Sequence, residues 1–209
     1  MIILKTAHVV SMGVIEANCF ILYNEFTKAC IIIDAGEDAQ AVIDKVTTLD
    51  LRPELLINTH GHFDHIMADD IVRTKYNIPL AIHEADSDML SDPYKNASVM
   101  IDKEVKIKKP EILLKEIEYE ASFCKYSIIH TPGHTQGSVC ILVDNKWLFS
   151  GDTLFTGSIG RTDFVGGSMS MMKESLKKLK KLDKDIEVFP GHGTFTTIGA
   201  ELAKNIYLR

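Results

Sequence analysis

The sequence lacks the features that mark secreted, membrane-spanning and nucleic-acid-binding proteins. No apolar run in its 209 residues is long enough to cross a bilayer, and the first five residues do not begin a signal peptide. Positive charge is also scarce, because 23 lysines and arginines face 29 aspartates and glutamates, for a net charge of −6. Such a chain is poorly suited to neutralise phosphates or anionic lipids. We therefore expect a cytoplasmic protein with neither a nucleic-acid nor a membrane partner.

Closely spaced cysteines are missing as well. The four cysteines are Cys19, Cys30, Cys124 and Cys140, and no two of them form a C-x-x-C pair. Each lies in an apolar, strand-like run, where a free thiol behaves as a small hydrophobic side chain. We therefore expect four buried free thiols, as suits a reducing compartment.

What the sequence does contain is typical of an α/β (α+β) protein. Hydrophobic residues make up 45% of the chain and charged residues 25%, and the length fits a single domain over residues 1–209. The periodicity predicts strands over 2–10, 17–23, 29–33, 55–58, 79–82, 124–129, 138–143, 146–149 and 186–189, a turn around Met12 and Gly13, and helices over 39–49, 66–76, 84–90, 168–182 and 198–207. Two blocks of strands, each interleaved with helices, predict two sheets packed face to face with helices outside.

The most informative stretch is a cluster of ligand-type residues after the apolar run 55–57. It contains His60, His62, Asp64 and His65. In an extended segment alternate side chains share a face, so the first three are expected to point the same way. The last can turn toward them as the chain bends into a helix. Packing alone does not readily explain this concentration, and the cluster predicts a metal site.

Three later turns repeat this pattern with one ligand-type residue each. His134, Asp152 and His192 each follow an apolar strand and lie in a turn that contains glycine or proline. Rigid strands with functional residues at their ends are how α/β scaffolds build sites. With the opening cluster, these turns supply five histidines and two aspartates. Imidazole and carboxylate ligands without thiolate suit Zn²⁺, Fe or Mn.

The order of these motifs, from Asp34 to His192, resembles the metallo-β-lactamase superfamily, and within it the glyoxalase II group. The resemblance implies an αββα four-layer sandwich of two mixed β-sheets with helices outside. It also implies the following ligands: His60, His62 and His134 for one metal, Asp64, His65 and His192 for a second, and Asp152 as a bridge between them. Asp34 matches a position that orients a ligand through a hydrogen bond.

The same resemblance implies a metal-dependent hydrolase. Its cofactors would be two divalent metal ions, with Zn²⁺ favoured and Fe or Mn as alternatives. A hydroxide held between them would attack a small-molecule thioester or related ester, since metal binding lowers the pKa of water to about 7. The catalytic residues would be Asp64, which could hold the hydroxide by a hydrogen bond, and Asp152.

Substrate contacts are expected from two further segments. The stretch from Gly157 to Phe164 corresponds to a substrate-side loop, in which Arg161 either meets a substrate carboxylate or pairs with Asp163. Phe155 is a second candidate contact. The polar stretch 91–109 is long for a loop, and it is predicted to lie over a pocket.

The chain departs from typical glyoxalase II in two places. Only one predicted helix follows His192, where glyoxalase II has an added helical domain, and Ile141 stands where that group has a tyrosine. The sequence therefore resembles the short, glyoxalase II-like hydrolases. Its thiol carrier and its oligomeric state stay open.

Two other activities share these residue types. A persulfide (sulfur) dioxygenase would use one iron at His60, His134 and Asp152, and it has a loop like 160–164. A lactonase would use the same hydroxide on a ring ester. A non-enzymatic binding role is disfavoured because no ligand is missing. Metal analysis with an oxygen-uptake assay would separate the dioxygenase from the hydrolases.

Overall fold

The first sheet has six strands that follow one another in chain order. A computed structural model describes residues 3–11 and 13–209. The strands are β1 (Leu4–Ser11), β2 (Ala17–Asn24), β3 (Ala29–Ile33), β4 (Arg52–Ile57), β5 (Leu80–His83) and β6 (Ile112–Leu114). The first three are antiparallel, and β3 to β6 run parallel. Ile2 of the predicted first strand and Met12 of the predicted turn lie outside the described residues.

The second sheet also has six strands, in the order β14-β13-β10-β9-β8-β7. Its strands are β7 (Glu118–Glu120), β8 (Lys125–His130), β9 (Val139–Val143), β10 (Trp147–Gly151), β13 (Glu187–Pro190) and β14 (Thr196–Thr197), and a separate hairpin is formed by β11 (Leu154–Phe155) and β12 (Ser158–Ile159). The pair β10–β13 is parallel and the other pairs are antiparallel. Both sheets are therefore mixed, as predicted.

Helices cover the outer face of each sheet. The helices are α1 (Ala39–Thr48), α2 (Phe63–Ile66), α3 (Asp69–Tyr76), α4 (Met169–Leu179) and α5 (Ile198–Lys204). Helix α1 begins at Asp38, whose side chain accepts a hydrogen bond from the backbone N–H of Ala41, and α4 begins likewise at Ser168. Helices α1 to α3 pack on the first sheet and α4 and α5 on the second. This arrangement confirms the predicted four-layer αββα sandwich.

Three apolar cores result from the alternation of side chains along the strands. On β2, Cys19 and Ile21 face the helices, whereas Phe20 and Leu22 face the second sheet. The core between the sheets also receives alternate residues of β3 and β9, and the third core lies between the second sheet and α4 and α5. The four cysteines are buried free thiols, as predicted, and burial raises the pKa of Cys30 to about 12.

Two helix predictions were wrong in detail. The predicted helix over 66–76 is interrupted after α2, because the backbone N–H of Ala68 donates to Gly36 instead of continuing the helix. The predicted helix over 84–90 is replaced by the 3₁₀ turns Glu84–Asp86 and Met89–Ser91. The side chain of Asp86 accepts two hydrogen bonds from backbone N–H groups of other loops, which favours this irregular path. Within residues 3–11 and 13–209, none of the helices has the length and hydropathy needed to cross a membrane. The prediction of a single domain stays a prediction.

Candidate metal centre

The predicted ligands meet at one edge of the sandwich, where strands of both sheets end. Four of them follow β4, and one each follows β8, β10 and β13. The explanation based on alternate faces of an extended segment was wrong for Asp64. Strand β4 ends at Ile57, the backbone of His62 is extended, and Asp64 and His65 lie in the short helix α2. The turn of this helix, and not strand alternation, brings these two side chains toward the histidines.

Two separate groups of three ligand atoms form within this cluster, and a third group, of His60, His65 and Asp152, connects them. Ligand atoms of His60, His62 and His134 lie within 4.8 Å of one another, and so do those of Asp64, His65 and His192. In the first group, Nδ1 of His62 is 2.8 Å from Nε2 of His134. In the second, Nε2 of His192 is 3.2 Å from Oδ2 of Asp64. The two separate groups contain the residues of the two predicted ligand sets, and their assignment to two metals stays a prediction.

Asp152 lies between the two groups. Its Oδ2 is 3.4 Å from Nε2 of His134 and 3.5 Å from Nε2 of His192. Its Oδ1 is 3.5 Å from Nε2 of His65. One carboxylate thus faces histidines of both groups, which is the position that a bridging ligand requires.

Hydrogen bonds at Nδ1 orient three of the histidines. Nδ1 of His65 lies 3.0 Å from Oδ2 of Asp34. Nδ1 of His134 lies 2.7 Å from the carbonyl oxygen of Arg161, and Nδ1 of His192 lies 2.6 Å from the carbonyl oxygen of Glu16. These oxygens accept, so Nδ1 of each ring donates a proton to them and Nε2 is the nitrogen that faces the other ligand-type side chains. Ligating histidines in proteins usually have such a partner on the second nitrogen.

Asp34 reaches two of the ligands, in agreement with its predicted role. It follows β3 with φ +54°, a left-handed conformation that aspartate adopts more readily than most residues. Its carboxylate accepts hydrogen bonds of 2.7 Å from both the backbone N–H and the hydroxyl of Thr59. The oxygen of that hydroxyl is 3.2 Å from Nδ1 of His60. Asp34 therefore orients His65 directly and His60 through Thr59.

The charges in the cluster suit a cation. Burial keeps the pKa of His60 well below its usual value and lowers that of His62 to about 3, so both rings are neutral. Burial also disfavours the charged form of His65, but the carboxylates of Asp64, Asp152 and Asp34 outweigh this effect and raise its pKa to about 10. For Asp64, the opposing effect of burial is overcome by His65 and His192, and the pKa falls below its usual value. His60 and His62 as neutral rings and Asp64 as a carboxylate have the protonation states that metal binding requires, whereas His65 would release a proton when a metal binds.

Unpartnered polar atoms show directly that these residues fit a metal. In the described part of the chain, six buried side-chain nitrogen or oxygen atoms have no hydrogen-bond partner. Three of them belong to this cluster: Nε2 of His60, Nε2 of His62 and Oδ1 of Asp152. Buried polar atoms without partners are costly and rare. A divalent cation among these side chains would satisfy Nε2 of His60 and Oδ1 of Asp152, whereas His62 faces His134 through its other nitrogen, Nδ1.

Sequence reasoning missed Asn18, which holds the turn that carries His192. The backbone N–H of Asn18 donates to the carbonyl oxygen of Gly191 at 2.7 Å. Its Nδ2 donates to the carbonyl oxygens of Pro190 and Gly193 at 2.9 and 3.0 Å. An asparagine in a strand is not a recognisable signal when its partners lie more than 170 residues away.

Replacing Asn18 by alanine should weaken the metal centre without unfolding the protein. The turn would lose two side-chain hydrogen bonds, and His192 would be less well positioned. We expect metal affinity to fall by about tenfold, the lower end of the range for residues that support ligands. Titration with a chromophoric chelator would measure this loss. Asn24→Ala is the matched control, because Asn24 is buried at the other end of β2 and should leave metal affinity unchanged.

Asp86 is the second positioning residue that the sequence did not reveal. Its carboxylate accepts hydrogen bonds from the backbone N–H of Gly61 at 3.1 Å, from the hydroxyl of Thr135 at 2.6 Å and from the backbone N–H of Gly137 at 2.6 Å. Burial raises its pKa, although these hydrogen bonds oppose the rise. Asp86 thus ties the turn between His60 and His62 to the turn that follows His134.

A cavity of about 530 Å³ opens beside the ligands. Phe155 and Arg161, the two predicted substrate contacts, both line it. The guanidinium of Arg161 makes two hydrogen bonds to Asp163, of 2.8 and 2.7 Å, so the structure shows the second of the two predicted alternatives. Ala97, Met100 and Ile101 also line the cavity, which confirms that part of the 91–109 stretch borders a pocket.

Comparison with known protein families agrees with this geometry. The chain matches the family described as the Metallo-beta-lactamase superfamily over residues 12–192. It is 30% identical over 208 residues to the hydroxyacylglutathione hydrolase GloC of Haemophilus influenzae, and the match covers 96% of both chains.

Solved structures extend the comparison to the fold. A crystal structure described as the BLEG-1 B3 metallo-beta-lactamase has a TM-score of 0.93 and 37% identity, covering 98% of this chain and 99% of the other. A structure of TTHA1623 in a di-iron-bound form has a TM-score of 0.83 and 29% identity, covering 97% and 100%. These similarities extend over almost the whole chain.

Proposed function

Because the chain belongs to the metallo-β-lactamase superfamily, we propose that it is a metal-dependent hydrolase of a small-molecule thioester or related ester. The observation that carries the proposal is the convergence of seven imidazole and carboxylate side chains in two adjoining groups beside a cavity. The proposed ligands are His60, His62 and His134 for one metal, Asp64, His65 and His192 for a second, and Asp152 for both. We propose Zn²⁺ as the native metal, with Fe and Mn as alternatives.

Two carboxylates of the protein, Asp64 and Asp152, are suited to assist hydrolysis. Divalent metals in such a site lower the pKa of water to near 7 and polarise the carbonyl group of the substrate. Asp64 lines the cavity and has a depressed pKa, so at neutral pH it is a carboxylate that can accept a hydrogen bond from water and orient it. Asp152 would fix the two groups of ligands relative to each other, because its two oxygens face different histidines.

A thioester is the favoured substrate for two reasons. The hydroxyacylglutathione hydrolase GloC is similar to this chain over almost its full length, which supports the same bond type. A thiolate also leaves with little need for a proton, since a thiol ionises near pH 8.5. This suits a cavity in which the described lining includes no lysine or tyrosine to act as a general acid.

Hydrolysis of a β-lactam ring is a second candidate. It is supported by the 37% identity and the TM-score of 0.93 to a protein described as a B3 metallo-beta-lactamase. The same centre would serve, because an amide carbonyl in a strained ring is also open to attack by activated water. A leaving nitrogen needs a proton, however, and this requirement makes the thioester the first choice.

Metal content and a substrate panel test the proposal together. We expect about two divalent metal ions per chain by elemental mass spectrometry. Purified protein should hydrolyse thioesters in a panel that contains S-lactoylglutathione, an aryl lactone and a chromogenic cephalosporin. Removal of metal with a chelator should abolish hydrolysis, and added Zn²⁺ should restore it. Hydrolysis that survives in metal-free protein would refute the proposed centre.

Other outcomes identify the alternatives. Cleavage of the cephalosporin but of no thioester would favour the β-lactamase, and cleavage of the lactone alone would favour a lactonase. One iron per chain with persulfide-dependent oxygen consumption would favour the persulfide dioxygenase. That activity would leave His62, Asp64, His65 and His192 without a ligand role despite their convergence.

A further inference from the structure

The cavity beside the ligands has two chemically distinct walls. The reactive wall consists of ligand-type side chains, and the remainder is almost entirely apolar. The apolar side chains come from three separate parts of the chain: Ile15 precedes β2, Met100 and Ile101 lie in the 91–109 stretch, and Phe155, Ile159 and Phe164 follow β10. Three segments that are distant in sequence thus each contribute apolar surface to one cavity.

Two of these apolar side chains are conspicuously exposed. Met100 is 64% accessible to solvent and Ile15 is 44% accessible. Apolar side chains exposed at the mouth of a cavity mark a surface that a ligand covers, because their burial is favourable. The substrate would therefore supply apolar surface next to the bond that is cleaved.

Free positive charge is missing from the same walls. Arg161 is the one residue lining the described cavity with a permanent positive charge, and its Nε and Nη2 both donate to the carboxylate of Asp163. Its guanidinium carbon also lies 3.8 Å from the centre of the Phe164 ring. An anionic thiol carrier such as glutathione, with two carboxylates, would find no unpaired cation there, and its charges would lose their water against apolar walls.

We infer that the substrate is an acyl thioester in which the groups flanking the scissile bond are uncharged and apolar, and that the thiol carrier lacks carboxylates at this site. This inference rests on the proposed hydrolase function. The cavity walls specify the substrate class of that site. An uncharged carrier differs from glutathione, which is the carrier that similarity to a hydroxyacylglutathione hydrolase would suggest.

A matched pair of substrates tests the inference. S-hexanoyl-N-acetylcysteamine and S-hexanoylglutathione share the acyl group and a primary thiol, but only the second carries carboxylates. We expect kcat/KM to be higher by about tenfold or more for the uncharged thioester, because the carboxylates of glutathione would lose hydration without gaining a counter-charge. Equal or better turnover of the glutathione thioester would overturn the inference.

Binding of thioethers separates this inference from the proposed function. S-hexyl-N-acetylcysteamine and S-hexylglutathione cannot be hydrolysed, so calorimetry with them reports on the cavity even if the protein cleaves no thioester. We expect about tenfold tighter binding of the uncharged thioether. Equal or tighter binding of S-hexylglutathione would contradict the inference, whereas loss of thioester hydrolysis with this preference retained would refute only the proposed activity.

A charge introduced into the apolar wall should change the preference. Met100→Lys places a cation at the cavity, and Phe26→Lys is the matched control, because Phe26 is 61% exposed in the turn between β2 and β3, at the end of these strands far from the ligands. We expect Met100→Lys to lower KM for S-hexanoylglutathione roughly threefold with little change in kcat, as for an exposed ion pair. Phe26→Lys should leave both constants unchanged. Identical behaviour of the two variants would show that this wall does not contact the carrier.

Discussion

Replacement of Asp152 by alanine is expected to remove metal and hydrolysis together. Its two oxygens face His65, His134 and His192 at 3.4 to 3.5 Å, so its loss affects both groups of ligands at once. Residues that merely support a ligand contribute about 10- to 100-fold to affinity or activity, and a shared ligand should exceed this. We expect metal content to fall to one ion per chain or fewer and kcat/KM for a cleaved thioester to fall by more than about 100-fold.

Thermal unfolding gives a readout of the same change that does not depend on substrate. A metal that binds only the folded protein stabilises it by about 2.7 kcal/mol at a concentration 100 times Kd. Added Zn²⁺ should therefore raise the Tm of the unaltered protein and raise that of the Asp152→Ala variant far less. Asp185→Ala removes an exposed aspartate near β13 and should keep the full rise. An Asp152→Ala variant with two bound metals and the full rise in Tm would exclude Asp152 as a shared ligand.

Replacement of Gly191 by alanine should have the second largest effect. A Cβ atom at this position would lie 2.2 Å from Oδ1 of Asp152 and 2.8 Å from Cε1 of His65. Both atoms belong to proposed ligands, so the added methyl group must displace one of them. Because displacement of about 1 Å can reduce catalysis 100-fold, we expect hydrolysis to fall by about 100-fold or more in Gly191→Ala. Steady-state kinetics and metal analysis would measure the loss.

The control for this variant lies two residues further along the same turn. Gly193 has φ +74°, but a Cβ atom at this position would have no other atom within 4 Å. Alanine here should cost about 1–2 kcal/mol of stability through its left-handed backbone and leave the ligands in place. Activity retained in Gly193→Ala and lost in Gly191→Ala would locate the effect in the contact with Asp152. Activity lost in Gly193→Ala and retained in Gly191→Ala would mean that the conformation of the turn, and not the space beside the ligands, is critical.

The candidate ligands could be recognised in the sequence because their chemistry is local. Each one is an imidazole or carboxylate that follows an apolar strand, and strand ends gather at sheet edges. The order of strands and helices predicted two packed sheets with helices outside, and the family resemblance implied the four-layer αββα sandwich. Asp34 was identified through the family resemblance, and the structure gives its physical role in orienting His65.

The supporting residues could not be predicted because their partners are distant in sequence. Asn18 binds a turn near residue 191, and Asp86 joins turns that begin at residues 61 and 135. Neither the spacing nor the residue type of these two indicates such contacts. The prediction of a regular helix over 84–90 failed for the same reason, since the hydrogen bonds that Asp86 makes to other loops accompany 3₁₀ turns there. Hydrogen bonds between distant loops determine these contacts and the 3₁₀ turns, and the periodicity of the local sequence contains no information about such bonds.

The division of the ligands between the two sheets has a consequence for how the protein matures. His60, His62, Asp64 and His65 are translated together and follow the first sheet, whereas His134, Asp152 and His192 follow strands of the second. During synthesis on the ribosome, the complete set of candidate ligands therefore exists only once His192 has been translated, 132 residues after His60. If the centre holds two metals as proposed, its loading follows translation of His192 and docking of the two layers, so the metal supply in the cell acts on a chain in which both sheets have formed.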